Sequence, residues 1–565
     1  MRGNKKLLPA LIALCILILA LAGLYGCGND TSPPAPPVTD EVSSDADSET
    51  IDLSLYSVIY SEDAGSDERR LASSLRDRLS AATGCDIPLE SDLLSGADGG
   101  DPDAYEILIG RTNRSATETV LSATDYAEYA IKSEGHKIVV AGWLDDATAS
   151  AIRSFSSIVK DTSDGKISSV LLNKCGAVSD MPRGVPSFEG GKKHCVTDTG
   201  YDSFIFTASS VSAEEYDAYI SLLSACGWNS LYTNEISGSR FACFRDSESR
   251  VRLFVSLTAM QSKLRISAEP YQEYSADYGT AGSLPLQVIA GNCCDRIYYI
   301  RLPDGSIIVI DGDCSGTEAE KRAQTDAFVS ELTNIAGVSA LGDVHIAAWI
   351  FTHVHTDHIL MFCEMTSRFG SELNIGRILR NFPSSYQMKL AQDDATSWVI
   401  YFDNAVSRLA KQPEVITVHA GQIFTFSGVE FEYIYTHEDL YPGVMKLLNQ
   451  TSTVFRMKYS GQTVLFTGDM ADEASNQILR ELGAGAVKCD AVQIGHHGWN
   501  NGGTPNFYRS CGASVMLWTN KYETWRESVD SGKLHYAEEI FNTSGVTRHI
   551  WCASGKTDIL ELPFG

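Results

Sequence analysis

The 565-residue sequence predicts a multidomain α+β protein in which two small α/β modules precede a larger C-terminal domain. Three observations predict it. The chain is too long for one hydrophobic core, since single cores stop growing beyond roughly 250–300 residues. Strand-like and helix-like apolar periods alternate over residues 51–180, and a single helical period then sits among short strands over 195–275. From 285 to 565, short apolar runs separated by turn residues dominate.

Residues 1–27 read as a signal segment. Arg2, Lys5 and Lys6 precede an apolar run from Leu7 to Ala22, short for a membrane span and placed where a signal peptide belongs. The run ends in Leu24-Tyr25-Gly26-Cys27-Gly28. This resembles the lipobox of bacterial lipoproteins, apart from Tyr25 where a small residue is usual, and it implies a lipid anchor on Cys27 and a protein on the extracellular face of the cell membrane. Residues 28–50, rich in Pro, Ser, Asp and Thr, bury too little apolar surface to offset ordering and read as a disordered tether.

In the first module, periodicity predicts strands over Leu53–Tyr60, Tyr105–Gly110, Ala127–Ile131 and Lys137–Ala141, and helices over Glu68–Ala82 and Asp146–Val159. The runs from Glu106 and Lys137 resemble the small α+β domain ahead of the catalytic domain in many secreted bacterial glycosidases, which implies a packing or positioning role. In the second module, a helix over Ser212–Cys226 opens on a Ser-x-Glu-Glu start signal, and Phe204–Thr207, Ser239–Phe244, Val251–Leu257 and Lys263–Ser267 read as strands. The third domain opens with strands at Gln287–Ala290, Arg296–Leu302 and Ser306–Asp311.

A formal charge of −27 argues against tight nucleic-acid binding, which usually needs a basic surface. Beyond Cys15 and Cys27, twelve scattered cysteines form no Cys-x-x-Cys pair, so no zinc knuckle is signalled. Outside the cytoplasm a bridge such as Cys226 to Cys243 is allowed, and Cys293 and Cys294 read as strand residues.

The chemistry concentrates in Thr352-His353-Val354-His355-Thr356-Asp357-His358, directly after an apolar run from His345 to Phe351. At a strand end, His353 and His355 project to one side because side chains repeat every two residues. Asp357 and His358, in the loop that follows, can face the same point from the other side. Imidazole and carboxylate are ligands that zinc accepts. The pattern therefore suits two adjacent metal ions.

Three ordered motifs carry a family resemblance: His353-x-His355-x-Asp357-His358, the strand end Val464-Leu465-Phe466-Thr467-Gly468-Asp469, and Val492-Gln493-Ile494-Gly495-His496-His497-Gly498. Together with Asp311 of Ile310-Asp311-Gly312-Asp313, they resemble the metallo-β-lactamase superfamily, in its ComEC-type branch. The resemblance spans residues 285–565 and implies an αββα sandwich with metals at one edge of the sheets. It implies that His353 and His355 bind one metal, that Asp357 and His358 bind a second, that Asp469 bridges them, and that His496 or His497 completes the second site. Gly468 is expected to let the backbone come close to the ions. Many members carry a further histidine before the bridging aspartate, but Leu448 to Thr453 holds none. His419 and His437 lie upstream and read either as candidates for that ligand or as surface residues. Asp311 reads either as a carboxylate fixing a ligand histidine's tautomer or as a turn former. His535 reads either as a proton donor or substrate contact, or as a helix-cap neighbour.

The implied activity is that of a dinuclear zinc hydrolase, with manganese or iron as alternative metals. Paired ions supply hydroxide at ambient pH and stabilise developing negative charge, while Asp357 orients the hydroxide. The expected substrate is a phosphodiester of DNA or of a cell-envelope polymer, or a small ester. Alternatives are a lactam or lactone hydrolase and a non-catalytic envelope-binding lipoprotein. Trp518, Lys521, Tyr522, Trp525 and Arg526 read either as a substrate groove or as core.

Overall fold

The computed structural model describes residues 50–565, except 97–98, 126–127, 161, 163, 178–183, 201–202, 385–386, 389–394 and 556, with the side chains of 177, 198 and 200 also left out. The expected signal segment, with Cys27, and the tether through residue 49 lie outside the described residues. No helix among the described residues is long and apolar enough to cross a membrane.

A first six-stranded sheet lies within residues 57–177. Its helices, Ser66–Thr83 and Asp145–Lys160, bury Leu75, Leu79, Ile152 and Phe155 against the sheet. The expected strand over Leu53–Tyr60 is shorter, Ser57–Tyr60, because Asp52 caps a 3-10 turn at Leu53–Leu55 by accepting from the Ser54 amide. A second six-stranded sheet, all antiparallel, is made by Lys192–Gly200, Ser203–Ser209, Asn229–Ile236, Ser239–Arg245, Val251–Thr258 and Lys263–Pro270. Its helix, Ala213–Ala225, starts on a reciprocal cap between Ser212 and Glu215. Asn229–Ile236 is an edge strand that faces the C-terminal domain: Asn234 Nδ2 donates to the Gly421 carbonyl at 3.1 Å and to Glu432 at 2.8 Å. Cys226 and Cys243 are both free thiols, the first exposed and the second buried, which corrects the allowed bridge. Cys293 and Cys294 lie in a loop rather than a strand.

The C-terminal domain stacks two sheets. In chain order its elements are β1 (Leu286–Ala290), β2 (Tyr298–Arg301), β3 (Ile307–Ile310), α1 (Glu318–Ala336), β4 (Ile346–Ile350), α2 (Thr356–Phe369), β5 (Arg377–Arg380), α3 (Ala395–Ser407) and β6 (Glu414–Thr417). They continue with β7 (Ile423–Phe426), β8 (Val429–Tyr435), β9 (Val454–Tyr459), β10 (Gln462–Phe466), α4 (Asp472–Leu482), β11 (Ala491–Ile494), α5 (Pro505–Cys511), β12 (Val515–Trp518), α6 (Tyr522–Asp530), β13 (Arg548–Trp551) and β14 (Ile559–Leu562). One sheet has the order β6-β5-β4-β3-β2-β1-β14; the other runs from β7 to β13 in sequence, with Asp277–Tyr278 added beside β7. Alternate residues of both sheets, among them Ile300, Ile350, Phe431, Phe466 and Leu517, meet in one buried core between them. Helices α1, α2 and α3 cover the outer face of the first sheet, and α4, α5 and α6 that of the second. The domain is an αββα sandwich. β3, β4, β5 and β6 run parallel, as do β10, β11, β12 and β13, so each set ends on one edge.

Candidate metal centre

The candidate site is assembled from five strand ends. Asp311 follows β3, the Thr352–His358 segment follows β4, Asp469 follows β10, His497 follows β11, and Thr519 follows β12. Side chains at the carboxyl edge of parallel strands converge because the crossover connections leave that edge open. His353 and His355 project from the turn after β4, whereas Asp357 and His358 sit in the first turn of α2 rather than in a loop.

Two donor groups result. Asp357, His358, Asp469 and His497 form one, and His353, His355 and Asp469 form the other, each with its candidate ligand atoms within 4.8 Å of one another. Asp469 belongs to both. Its Oδ2 lies 3.1 Å from His358 Nε2, 3.1 Å from His497 Nε2 and 3.9 Å from His353 Nε2. His497 Nε2 is 3.3 Å from Asp357 Oδ2, and His353 Nε2 is 2.9 Å from His355 Nδ1.

The inward atoms are selected by what holds the outward ones. His358 Nδ1 bonds Asp311 Oδ2 at 2.9 Å, His497 Nδ1 bonds Thr519 Oγ1 at 2.9 Å, and His353 Nδ1 faces Thr352 Oγ1 at 3.2 Å. Each of these rings is thereby turned so that Nε2 points at the cluster. Asp311 also accepts from the Thr352 amide at 2.8 Å and from Thr352 Oγ1 at 2.7 Å, so it fixes the start of the histidine turn as well as one of its rings. Of its two readings from sequence, the geometry is that of a carboxylate that orients a histidine. His358 Nε2 and Asp469 Oδ1 are buried and have no hydrogen-bond partner. Buried lone pairs are rarely left unused. Four imidazoles and two carboxylates with orphaned atoms facing one point fit a pair of divalent ions, and the N and O donor set suits zinc.

The electrostatics point the same way. Burial disfavours a charged His358, yet the carboxylates of Asp469, Asp311 and Asp357 outweigh it and hold the ring well above the usual imidazole range. Burial likewise opposes ionisation of Asp469, but His358 and His497 hold it well below the usual carboxylate range. Burial, followed by the neighbouring His358 and His355, keeps His353 well below its ordinary value. A positive charge is therefore demanded at the centre of the carboxylates.

The second and third motifs are clamped together by Gln493. Its Oε1 accepts from the Thr467 and Gly468 amides at 3.0 and 3.1 Å, and its Nε2 donates to the Gly468 carbonyl at 3.1 Å. Gly468 has φ of +56°, and a Cβ there would lie 2.6 Å from Thr352 Cβ. This glycine leaves room for the Thr352 side chain. His496 and His497 are both left-handed, at φ of +47° and +59°, a conformation uncommon outside glycine. That turn sends His497 into the cluster and His496 outward, where its Nδ1 meets the Asn500 carbonyl at 2.6 Å. His496 is corrected from candidate ligand to loop residue.

Other expected residues fall elsewhere. His535 is exposed and belongs to neither donor group; its amide donates to Asn500 Oδ1 at 2.8 Å, on the loop that carries His496. His419 and His437 are buried, at 2% and 5% exposure, which corrects their reading as surface residues, and neither joins the cluster. Where a further histidine is absent, Ser452 Oγ accepts from the Asp469 amide at 3.1 Å. Trp518 and Trp525 are core, stacked with Trp551 and Phe541, and Arg526 pairs with Asp530 and Glu538.

Sequence reasoning missed Arg296. It is left-handed, at φ of +66°; its Nε donates to His497 Nε2 at 3.2 Å and is ion-paired with Asp357 Oδ2 at 2.8 Å, while a terminal nitrogen meets Asp313 at 3.0 Å. Trp398 of α3 was missed too, with its ring centroid 5.6 Å from that of His355. Neither residue lies in a motif.

No family model matches the chain and no curated protein matches it. Among solved structures it is similar to a mutant of the CmlA beta-hydroxylase, at 14% identity over 52% of this chain and 55% of that one, with a TM-score of 0.31. It is also similar to the metallo-beta-lactamase fold protein YhfI from Bacillus subtilis, at 13% identity over 49% of this chain and 100% of that one (TM-score 0.30). Zn(2+)-bound PqqB from Methylobacterium extorquens matches at 10% identity over 46% of this chain and 86% of that one (TM-score 0.27).

Proposed function

We propose that the chain is a dinuclear metal-dependent hydrolase, a phosphodiesterase held at the outer face of the cell membrane by a lipid on Cys27. Its expected substrate is a phosphodiester of a cell-envelope polymer, which an anchored enzyme can reach. One observation carries the reading: Asp469 joins two donor groups and leaves a buried oxygen unpartnered beside the unpartnered His358 nitrogen. Zinc is the favoured metal, with manganese or iron as alternatives.

His353, His355 and Asp469 would hold one ion, and Asp357, His358, His497 and Asp469 the other. Such a pair supplies Lewis acidity and a nucleophilic hydroxide at neutral pH. The remaining work falls to the chain. Asp311 and Thr519 keep His358 and His497 in the tautomer whose Nε2 bears the lone pair. Asp357, with a side chain 32% exposed, is the accessible carboxylate of the group and can orient the attacking hydroxide. Arg296 ties Asp357 to Asp313, at 2.8 and 3.0 Å, and so holds the Asp357 carboxylate in place.

The test compares hydrolysis of bis-p-nitrophenyl phosphate by the wild-type protein and by Asp469→Ala, each with its metal content measured. The reading expects bound metal and turnover in the first and neither in the second. Equal rates, or no metal in the wild type, would remove it.

A further inference from the structure

A second polar site lies on the same edge of the first sheet. Ile350, Leu379 and Ile416 are in register across β4, β5 and β6. Three residues beyond each, at the carboxyl ends, come His353, Phe382 and His419. Adjacent strands are about 4.8 Å apart, so the His419 strand end is two spacings, about 10 Å, from that of His353. There, a cavity of about 300 Å³ opens between the sandwich and the second six-stranded sheet, lined by His419, His437, Gln387 and Glu438 from the sandwich and by Glu269 and Phe204 from the second sheet. That volume is at the small end of the range for ligand sites.

Three lining atoms are buried without a hydrogen-bond partner: His419 Nε2, which faces the Glu269 carboxylate at 3.3 Å, and His437 Nδ1 and Gln387 Nε2, whose hydrogen-bonding character is fixed by their neighbours. Asn381 Nδ2 donates to the Val418 carbonyl at 2.7 Å, so Asn381 Oδ1 must be the acceptor for His437 Nε2–H at 2.8 Å. His437 Nδ1 is left as a bare acceptor, in a residue 5% exposed. Gln387 Oε1 accepts from the Ser384 amide at 3.2 Å, so Gln387 Nε2 is left as a donor with no acceptor, in a residue 0% exposed. Buried polar atoms without partners are costly, so an unpaired acceptor and donor lining one cavity favour a group that can both donate and accept.

The charge of the walls narrows its chemistry. His419 sits between Glu438, at 2.9 Å, and Glu269, at 3.3 Å, so two carboxylates face one imidazolium and the lining is net negative. A phosphate or carboxylate is repelled. An ammonium donates but cannot accept, and would leave Gln387 Nε2 unmatched. A hydroxyl does both. Phe204 and Phe382 add apolar surface for a C–H face.

We propose that this cavity binds an uncharged hydroxyl-bearing unit, a sugar or polyol, with one hydroxyl donating to His437 Nδ1 and accepting from Gln387 Nε2. On the hydrolase reading, on which this clause rests, the unit is the residue of the polymer next to the scissile phosphodiester. The substrate is then a glycosyl or polyol phosphate ester.

The experiment uses the full chain stripped of metal by a chelator, so that binding is read apart from hydrolysis. Saturation-transfer NMR is run with ribitol, N-acetylglucosamine, ethylammonium and methyl phosphate, each of which has C–H protons that report the transfer. Transfer to ribitol or N-acetylglucosamine is expected, with none to ethylammonium or methyl phosphate. Gln387→Leu removes the donor at nearly constant volume, and Thr417→Trp blocks the cavity from an exposed strand end without touching the core. Each is expected to weaken the hydroxylated probe about tenfold or more. No transfer to either hydroxylated probe, preference for ethylammonium or methyl phosphate, or wild-type binding in both variants overturns the proposal. Turnover of bis-p-nitrophenyl phosphate by metal-loaded protein is measured in parallel. Binding without turnover upholds the cavity and overturns its link to hydrolysis; turnover without binding overturns the cavity and leaves the hydrolase standing.

Discussion

Replacing Asp311 by Asn tests how the centre chooses its ligand atoms. The backbone tolerates the change, because Asn adopts the left-handed conformation that position 311 has at φ of +53°. Asn Oδ1 can still accept from the Thr352 amide. The amide nitrogen then replaces Oδ2, which now accepts from Thr352 Oγ1 at 2.7 Å and from His358 Nδ1 at 2.9 Å. The hydroxyl can rotate and accept instead. His358 cannot adapt without cost: facing an N–H, its Nδ1 must give up its proton, which moves to Nε2, the atom that faces Asp469 at 3.1 Å. A protonated Nε2 has no lone pair for a metal. Restoring the correct tautomer forfeits one hydrogen bond to a charged group, about 1.5–3 kcal/mol, or about 10- to 100-fold in affinity for the second ion. Competition with a chromophoric chelator measures that affinity, and thermal denaturation of the metal-free protein checks that the fold persists. Affinity within about twofold of wild type would refute the tautomer argument.

Three further outcomes are expected. His496→Ala keeps the metal content of the wild type and His497→Ala loses the second ion, as read by metal analysis of the two purified variants; the opposite pattern would restore His496 as the ligand. Gly468→Ala puts a Cβ 2.6 Å from Thr352 Cβ at a positive φ and lowers stability by about 2–5 kcal/mol in denaturant titration; an unchanged midpoint would contradict the packing. His419 is raised from 6.5 to about 9: burial opposes its charge, but Glu438 and Glu269 outweigh it. A raised folded-state pKa stabilises fully below the unfolded value, so on the order of 3 kcal/mol present near pH 6 is lost as pH rises from 6.5 through about 9. His419→Gln should flatten the stability profile across that window, and an unaltered slope would show that the ion pairs do not carry it.

The sandwich was legible because its chemistry sits in runs. The His353–His358 spacing, the Thr467-Gly468-Asp469 strand end and the two adjacent histidines each follow an apolar strand, and parallel strands bring such ends to one edge. What sequence reasoning left open depends on contacts far along the chain. Strand alternation cannot choose between His496 and His497, since the choice is made by two consecutive left-handed residues. Arg296 reaches Asp357 from a loop of Cys, Asp and Arg with no periodicity. His419 and His437 read as surface residues because each is a single histidine near turn residues, and it is the second six-stranded sheet, with Phe254 stacked 3.6 Å from the His419 ring, that buries the first of them. A lone histidine gives no local sign of a neighbour 165 residues away.

The central claim is that one carboxylate joins two ions. Anomalous diffraction at the zinc edge, from crystals of zinc-loaded protein, tests it most directly. Two peaks roughly 3.5–4 Å apart, one beside His353 and His355, the other beside Asp357, His358 and His497, with Asp469 touching both, are predicted. A single peak, or a pair that Asp469 does not bridge, would contradict it.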